Sequence, residues 1–567
     1  MIMYSEWTFV NAFPEEQVQQ LASQLSLPPI IARILLNRGI ESLEDARFFF
    51  RAGLDHLYDP FLMADMTKAV DTIQQAIEKR KKILIYGDYD VDGATATAMM
   101  LLFLRKVGIE ADFYIPNRIK EGYGLSLEAV EAIHQRGVDL MICVDCGITA
   151  IEEISLARRL GMEVIVCDHH QPGAELPPAN AVLNPKRPDC PYPFKELAGV
   201  GVSFKLAQAL AARINMPHDR LFELLDLVAI GSAADIVPLV DENRILVREG
   251  LEVLRQTKNV GLYALLQKTG LHNKTLGTGQ IIFILAPRIN AVGRMSDAAQ
   301  AVRLLISTDL QEAEAIAEVL EKENRQRRSI DEETFKEAVE MVESYFDPEN
   351  DPAFVLSAEG WHPGVIGIVA SRLVDRYYRP TVMISTDEGV GKGSARSIPG
   401  FNIYEALNSC ADLMLAFGGH KYAAGLSIPS ENISRLRERL QEYAQQKLTD
   451  DLLTPKLSID GELRFDEIDA TFMRILKMMA PFGPQNMRPV FYSKNIRIVG
   501  TPVIVGNNHL RFKACQNGKV IDAIGFNLGN LLHRIGGHRE DIEMAYVVEE
   551  NEWQGRVYTQ LKIKDIR

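Results

Sequence analysis

Along residues 82–237, apolar and polar positions follow two alternating periods. Short apolar runs at 83–86, 111–115, 140–144 and 163–167, each four or five residues long, predict strands. Amphipathic stretches such as 94–107 and 127–136 lie between them and predict helices. That order predicts a parallel α/β sheet, with ligands gathered at the carboxyl ends of its strands. Residues 238–310 read as mainly helical. Residues 309–346 combine dense charge with Ala, Leu, Ile and Val at helical spacing, which predicts one long solvated helix. The segment 347–352, Asp-Pro-Glu-Asn-Asp-Pro, is a break, and 353–448 resumes an α/β pattern with glycine-rich joints. From about residue 456, short alternating strands at 495–499, 503–505, 510–515 and 520–525 predict a small β-barrel.

Composition fits this outline. The 567 residues are 47% apolar and 24% charged, as expected of a globular chain of several domains and not of a disordered or coiled-coil one. The sequence contains no long apolar run and no secretory pattern at its start, so neither a membrane span nor a signal peptide is expected. The cysteines, six in number (143, 146, 167, 190, 410 and 515), are too scattered for a disulfide framework, and a reducing cytoplasm is the natural setting. Net charge is −14, which opposes nucleic acid unless charge is segregated or metal ions intervene. Segregation is present: residues 457–567 hold 15 Lys/Arg against 13 Asp/Glu, or +2, which leaves −16 for the remainder. Within that tail, residues 470–534 carry nine basic residues and one acid, Asp522.

The most informative segment runs from the apolar stretch 83–86 into Gly87-Asp88-Tyr89-Asp90-Val91-Asp92-Gly93. Three carboxylates at alternate positions after a strand project the same way and repel one another unless cations join them. An acidic solvated loop is the plain alternative. A calcium loop of EF-hand type fails because Met99 stands where the bidentate Glu belongs and a strand precedes the loop. The arrangement recurs: the next strands deliver Asp145 and then Asp168-His169-His170, and a later apolar run, 224–230, leads to Asp235. Parallel strands end on one sheet edge, so Asp88, Asp90, Asp92, Asp145, His169 and Asp235 can converge. Such a mixed Asp/His site suits Mn²⁺ or Mg²⁺, and the surplus of carboxylates argues for two ions about 3.5–4 Å apart acting on a phosphoester. In the doublet, one imidazole can ligate metal while the other meets the phosphate or acts as an acid. Cys143 and Cys146 have CxxC spacing but lie in a strand and its turn, where core packing explains them.

In order, these motifs resemble the signature of the DHH phosphoesterase superfamily. Further motifs narrow the resemblance to the RecJ family of bacterial single-strand-specific 5′→3′ DNA exonucleases: Pro116-Asn117-Arg118 with Glu121-Gly122-Tyr123-Gly124-Leu125, Ala286-Pro287-Arg288-Ile289-Asn290-Ala291, Gly393-Ser394-Ala395-Arg396-Ser397 and Pro481-Phe482-Gly483-Pro484-Gln485-Asn486. The fold implied is a parallel-sheet DHH domain, a long helix, a second α/β (DHHA1) domain and a C-terminal OB-fold barrel. Its expected boundaries are an N-terminal extension at 1–60, DHH catalytic domain at 61–237, helical connector at 238–346, DHHA1 substrate-binding domain at 347–450 and OB-fold at 456–567.

The resemblance implies metal ligation by Asp90, Asp92, Asp145, His169 and Asp235, with Asp88 lining the site. It also implies catalytic roles for Asp88, Asp145, His170 facing the scissile phosphate, and His420 facing the catalytic cleft. Ser394 and Arg396, joined by Arg118, are expected to form a 5′-phosphate pocket, and Arg288, Asn290 and Arg294 to contact the strand. In the tail, Arg488, Arg511 and Lys513, with Lys494 and Arg497, interleave with Phe482, Phe491, Tyr492 and Phe512; cations follow the backbone there while one or two aromatics stack on bases. Expected partners are single-stranded DNA with a 5′ end, a single-strand-binding protein and a helicase, in recombination and repair. A DHH-type oligoribonuclease or cyclic-dinucleotide phosphodiesterase is the rival enzyme, disfavoured by the barrel and the Glu121–Leu125 motif. A manganese pyrophosphatase needs far less chain, and a catalytically dead binding module would not keep every acidic position.

Overall fold

The computed structural model describes residues 5–10, 13–117, 121–122, 124–347, 350–535, 541–553 and 556–567. Two compact units divide the chain. A central unit holds Ala52–Glu333 and Pro481–Asn486, and a composite unit holds Met1–Arg51, Thr334–Ala480 and Met487–Arg567.

The central unit is built on a five-stranded parallel sheet. Its strands lie in the order Asp112–Tyr114, Ile83–Gly87, Leu140–Val144, Glu163–Cys167 and Ala181–Leu183. Four of them match the apolar runs of the sequence. The inner strands Ile83–Gly87 and Leu140–Val144 are buried at every position, as helices on both faces require. On one face the helices Val91–Lys106, Gly199–Arg213 and Leu225–Ala234 join a continuous core with Phe103, Leu104, Phe204 and Leu227. On the other, Val130, Ile133 and Ile154 cover Met141, Cys143 and Val166. All six cysteines are buried free thiols.

Three departures from the sequence pattern have physical causes. The run 224–230 belongs to the helix Leu225–Ala234, because an apolar segment buried all round carries no period to separate strand from helix. The strand Ala181–Leu183 is too short to leave a pattern. In the barrel, 495–499 and 503–505 fall within a single strand, Phe491–Val505, whose register shifts between Val499 and Val503 around Gly500 and Pro502.

In the composite unit, strands Phe354–Glu359, Thr381–Asp387, Val390–Arg396, Ala423–Pro429 and Ala416–His420 form a mixed sheet under the helices Ile366–Tyr377 and Ile433–Lys447. The tail is a closed five-strand barrel: Phe491–Val505, His509–Gln516, Lys519–Gly525, Arg556–Ile566 and Ile542–Trp553 pair in turn, and the last pairs with the first. The N-terminal strand Glu6–Phe9 pairs in parallel with Lys456–Ile459, and Trp7 donates to Asp565 Oδ2 at 2.9 Å. The helix Leu310–Tyr345 is the long one anticipated. No helix among the described residues is long and apolar enough to cross a membrane.

Residues Pro481–Asn486 clasp the central unit. The Leu239 N–H donates to Pro484 O at 2.9 Å, Thr278 Oγ1 to Phe482 O at 2.6 Å and Asn486 Nδ2 to Pro481 O at 2.7 Å. Leu239 lies four residues beyond Asp235, so the clasp grips the segment that leaves that carboxylate.

Candidate metal centre

The carboxyl ends of three neighbouring strands deliver the acidic residues. Asp88 follows Ile83–Gly87, but the chain then turns into a helix instead of staying extended: Asp90 caps the helix Val91–Lys106, its Oδ1 accepting from the Gly93 N–H at 3.0 Å, and Asp92 stands in its first turn. Asp145 follows Leu140–Val144 at a positive φ of 59°, its N–H bonded to Cys167 O at 2.8 Å. His169 and His170 follow Glu163–Cys167, whereas Asp235 comes from the C-terminal end of a helix.

Donor atoms of Asp88, Asp90 and Asp145 lie within 4.8 Å of one another, as do those of Asp92, His169 and Asp235, and those of Asp145, His169 and His170. His169 Nε2 is 3.3 Å from Asp145 Oδ1, 3.5 Å from Asp235 Oδ2 and 4.0 Å from Asp92 Oδ2. All six predicted metal residues therefore meet. Asp145 Oδ1 and His169 Nε2 are buried without a hydrogen-bond partner among the described residues, as expected of atoms that serve a cation.

Electrostatics point the same way. Burial, then the charge of Asp90, pushes Asp92 up to about 7, and burial with Asp92 and Asp90 pushes Asp235 up to about 8. Asp145 is held well above the usual carboxylate range by burial and then by Asp92 and Asp90. Without cations this cluster costs free energy, so divalent ions suit it and its carboxylate-rich, imidazole-containing donor set.

Backbone groups absent from the sequence reading fix these side chains. Asp92 accepts from the Gly199 N–H at 2.6 Å and the Val200 N–H at 2.9 Å, at the first turn of the helix Gly199–Arg213. Glycine is required at 199, because a Cβ there would fall 2.4 Å from Asp145 Oδ1. Asp168 does not join the metal groups. Its Oδ1 meets His170 Nδ1 at 2.7 Å and the His169 N–H at 2.7 Å, while Oδ2 accepts from the Ile148 N–H at 2.9 Å. Burial opposes charge on His170, but the hydrogen bond and charge of Asp168 prevail and carry its pKa to about 9. Burial and then the neighbouring His170 charge lower His169 to about 3, the neutral form that ligates metal. Asn184 and Lys186 follow the short strand Ala181–Leu183: Asn184 Nδ2 donates to His170 O at 2.8 Å, and the Lys186 charge acts on His169 and Asp235.

The other predicted residues occupy varied settings. Arg118 and Tyr123 lie outside the described residues. Arg288 is buried, with Nε on Glu321 Oε2 at 2.6 Å and Nη1 on Ile284 O at 2.7 Å, whereas Asn290 and Arg294 of the same helix are half-buried. In the composite unit, Arg396 Nη1 donates to Ser394 Oγ at 3.0 Å, and both face the first turn of the helix Ile366–Tyr377. A Cβ on Gly367 would lie 2.8 Å from that hydroxyl and 2.9 Å from Arg396 Nη2. His420 is exposed at the end of Ala416–His420. Arg488, Arg511 and Lys513 are exposed. Of the tail aromatics, Phe491 and Phe512 belong to the barrel core, and Tyr492 packs edge-on against Trp7 and Phe9 with its hydroxyl on Glu543 at 2.9 Å.

Comparison with known proteins places these features in a family. Residues 82–232 match the DHH family, N-terminal domain; residues 350–446 match the DHHA1 domain, and 459–565 the RecJ OB domain. The chain is 43% identical over 555 residues to the single-stranded-DNA-specific exonuclease RecJ of Bacillus subtilis (strain 168), covering 97% of this chain and 69% of that one. It is 35% identical over 561 residues to the Escherichia coli (strain K12) protein of the same name, covering 95% and 96%. The crystal structure of Thermus thermophilus RecJ in complex with Mn²⁺ superposes with a TM-score of 0.85 at 30% identity, covering 99% of this chain and 79% of that one. The Mg²⁺ complex of that protein gives 0.79 at 27% identity, covering 99% and 78%. With all three family domains in order and relatives matched along nearly its whole length, the chain belongs to the RecJ family of single-stranded-DNA-specific exonucleases.

Proposed function

We propose that the chain is a metal-dependent exonuclease that degrades single-stranded DNA from its 5′ end to mononucleotides in recombination and repair. The observation that carries this reading is the meeting of Asp88, Asp90, Asp92, Asp145, His169 and Asp235 around two buried atoms without hydrogen-bond partners. These residues would hold two Mn²⁺ or Mg²⁺ ions, which when bound supply Lewis acidity and an activated water for phosphodiester hydrolysis.

The chain's own groups do the rest. The Gly199 and Val200 N–H donors hold Asp92 in one orientation as the site titrates. Asp168 keeps His170 charged, so its Nε2 proton is available to a phosphate oxygen. Ser394 and Arg396 bind the 5′ phosphate, Arg118 contacts the strand, and His420 acts at the substrate as a further catalytic group. Asn290 and Arg294 contact the strand on a helix that Arg288 braces through Glu321. Arg488, Arg511 and Lys513 follow the backbone along the barrel. The working domain limits are 61–237 for catalysis, 238–346 for the connector, 347–450 for substrate binding and 456–567 for strand capture. Residues 1–60 form the N-terminal extension. A single-strand-binding protein and a helicase are the proposed partners, and the cytoplasm is the proposed location.

Digestion of 5′-labelled and 3′-labelled single strands, with a duplex control, in Mn²⁺, Mg²⁺ and EDTA tests this function. Mononucleotides released from the 5′ end alone, only with metal and not from duplex, are expected. Survival of long strands alongside cleavage of di- to pentanucleotides or cyclic dinucleotides would reassign the substrate.

A further inference from the structure

The segment that leaves the acidic cluster passes through a backbone conformation its sequence does not favour. The helix Leu225–Ala234 ends at Asp235, whose N–H bonds to Gly231 O at 2.9 Å, and the next residue, Ile236, turns the chain away at a positive φ of 62°. Helices commonly end with one left-handed residue, but glycine is the usual one, because a Cβ crowds the backbone there and a β-branched side chain crowds it most. The other non-glycine residues described at positive φ are Asn, Asp, Ser, Arg, Glu, Gln and Tyr; among them Ile236 alone is β-branched. The core does not account for it. Ile236 is 60% exposed, whereas Val237 and Leu239 just beyond it are buried. An exposed apolar residue is ordinary on a surface, and an exposed one held in strain is not. Glycine would turn the chain at less cost, so what is retained at 236 is the side chain itself.

Its place in the chain says what that side chain meets. Asp235 Oδ2 lies 3.5 Å from His169 Nε2, in one of the groups that would hold an ion. Consecutive Cα atoms are about 3.8 Å apart, so Ile236 stands at the rim of the site that receives the scissile phosphate. It stands there rigidly. The Leu239 N–H is bonded to Pro484 O at 2.9 Å, the buried Val237 anchors the turn, and a β-branched side chain has little freedom at χ1. Every other side chain described at this rim, from Asp92 and Asp145 to His170, is polar or charged. One stiff apolar group among them suits the part of a nucleotide beside the phosphate that is apolar too. In a deoxyribose that part is C2′, the one sugar carbon that carries no oxygen.

We infer that Ile236 packs against the sugar C2′ beside the scissile phosphate and is a specificity-determining residue that favours deoxyribose over ribose. The inference rests on the exonuclease reading above. A ribose would turn its 2′-hydroxyl onto the apolar side chain, where the hydroxyl loses water and gains no partner. An added hydroxyl against an apolar wall is disfavoured by about tenfold to 100-fold, which makes a preference and not an absolute bar.

DNA strands carrying a single ribonucleotide, degraded in Mn²⁺ by the full chain and followed step by step, test this. The wild type is expected to slow about tenfold at the ribonucleotide and to pass a 2′-fluoro nucleotide at the same position without slowing, because the fluoro sugar has the ribose-like pucker but no hydroxyl to desolvate. Ile236→Gly should pass both at the rate of plain DNA, with a melting temperature in EDTA equal to or above that of the wild type, since the strain at 236 is relieved. Ile236→Val should still slow at the ribonucleotide, and Ile236→Thr, which offers the hydroxyl a partner, should slow less. A wild type that passes the ribonucleotide freely, equal slowing at ribose and 2′-fluoro sugars, slowing that survives Ile236→Gly, or a melting temperature several degrees lower for that variant would each overturn the inference while leaving the exonuclease reading intact. Failure of the wild type to degrade any strand overturns both.

Discussion

The acidic cluster of the central unit and the basic face of the C-terminal barrel manage charge by opposite means. In the cluster, carboxylates are drawn together at strand and helix ends in a largely buried pocket, and backbone N–H groups hold some of them, as Gly199 and Val200 hold Asp92. Along the barrel strand His509–Gln516, Arg511 and Lys513 point to water while Leu510, Phe512 and Ala514 fill the core, and Lys513 lies across from Asp522. Buried charge in a low-dielectric pocket is unforgiving, because a lost partner, protein group or cation, has no water to replace it. Exposed charge is graded and screened by salt. Removing one member should therefore be all-or-none in the cluster and incremental on the barrel.

The sharpest test is Asp145→Ala, expected to lower cleavage by about 10⁴-fold or more while strand binding in EDTA, read by fluorescence anisotropy, is retained. Appreciable Mn²⁺-dependent turnover by that variant would end its role at the centre. Next comes Gly199→Ala, which adds only a methyl group. Its Cβ collides with Asp145, so the first helical turn must move and carry the Asp92 donors with it. A loss of about 100-fold in kcat with a near-normal melting temperature is expected. Wild-type turnover would show that the cluster tolerates more than this geometry allows.

A smaller effect appears in the metal-free protein as a function of pH. Folding raises Asp92 from 3.8 to about 7, Asp235 from 3.8 to about 8 and His170 from 6.5 to about 9. Each folded value exceeds the unfolded one, so each contribution to stability is complete below the unfolded pKa and is lost as pH rises through the folded one. Thermal unfolding in EDTA should thus begin several degrees lower at about pH 9 than at about pH 6, and Mn²⁺ should abolish the difference. A melting temperature flat across that window would contradict the buried-charge account. The smallest effect belongs to the barrel. Arg511→Ala with Lys513→Ala should weaken strand binding several-fold and reduce the slope of log affinity against log salt by about 1.4, or 0.7 per phosphate contact. An unchanged slope would remove these two residues from the strand path.

The same contrast governs what could be read from the sequence. Asp88, Asp145 and His169 were legible because they follow apolar strands, as were the four longer strands themselves, whereas Asp90 and Asp92 were legible only as positions, since they cap and open the helix Val91–Lys106 instead of alternating along an extended chain. Asp235 was legible as a position, although it arrives on a helix whose all-round burial hid its type. The backbone donors of Gly199 and Val200 carry no side-chain signal, and Lys186 was hidden behind a strand of three residues. On the barrel, the basic residues Arg488, Arg511 and Lys513 lie exposed, as their charge leads one to expect, whereas aromatic content was a poor guide to position, since an exposed ring and a core ring look alike in sequence. Phe491, Phe512 and Tyr492 are used by the fold. Arg288 illustrates the limit for cations, because only the folded chain brings Glu321 to its guanidinium.

The clasp formed by Pro481–Asn486 bears on how the chain is made. A ribosome adds residues from the N-terminus at about 5–20 per second, and a domain generally folds once it has emerged whole. Here the central unit spans Ala52–Glu333, but its last six residues follow only after most of the composite unit has been synthesised. Until then, Leu239 lacks the Pro484 carbonyl that bonds its N–H and the glycine turn that Cδ1 approaches, so the segment leaving Asp235 emerges ungripped. A nascent chain therefore acquires its acidic cluster early and the brace on that cluster late.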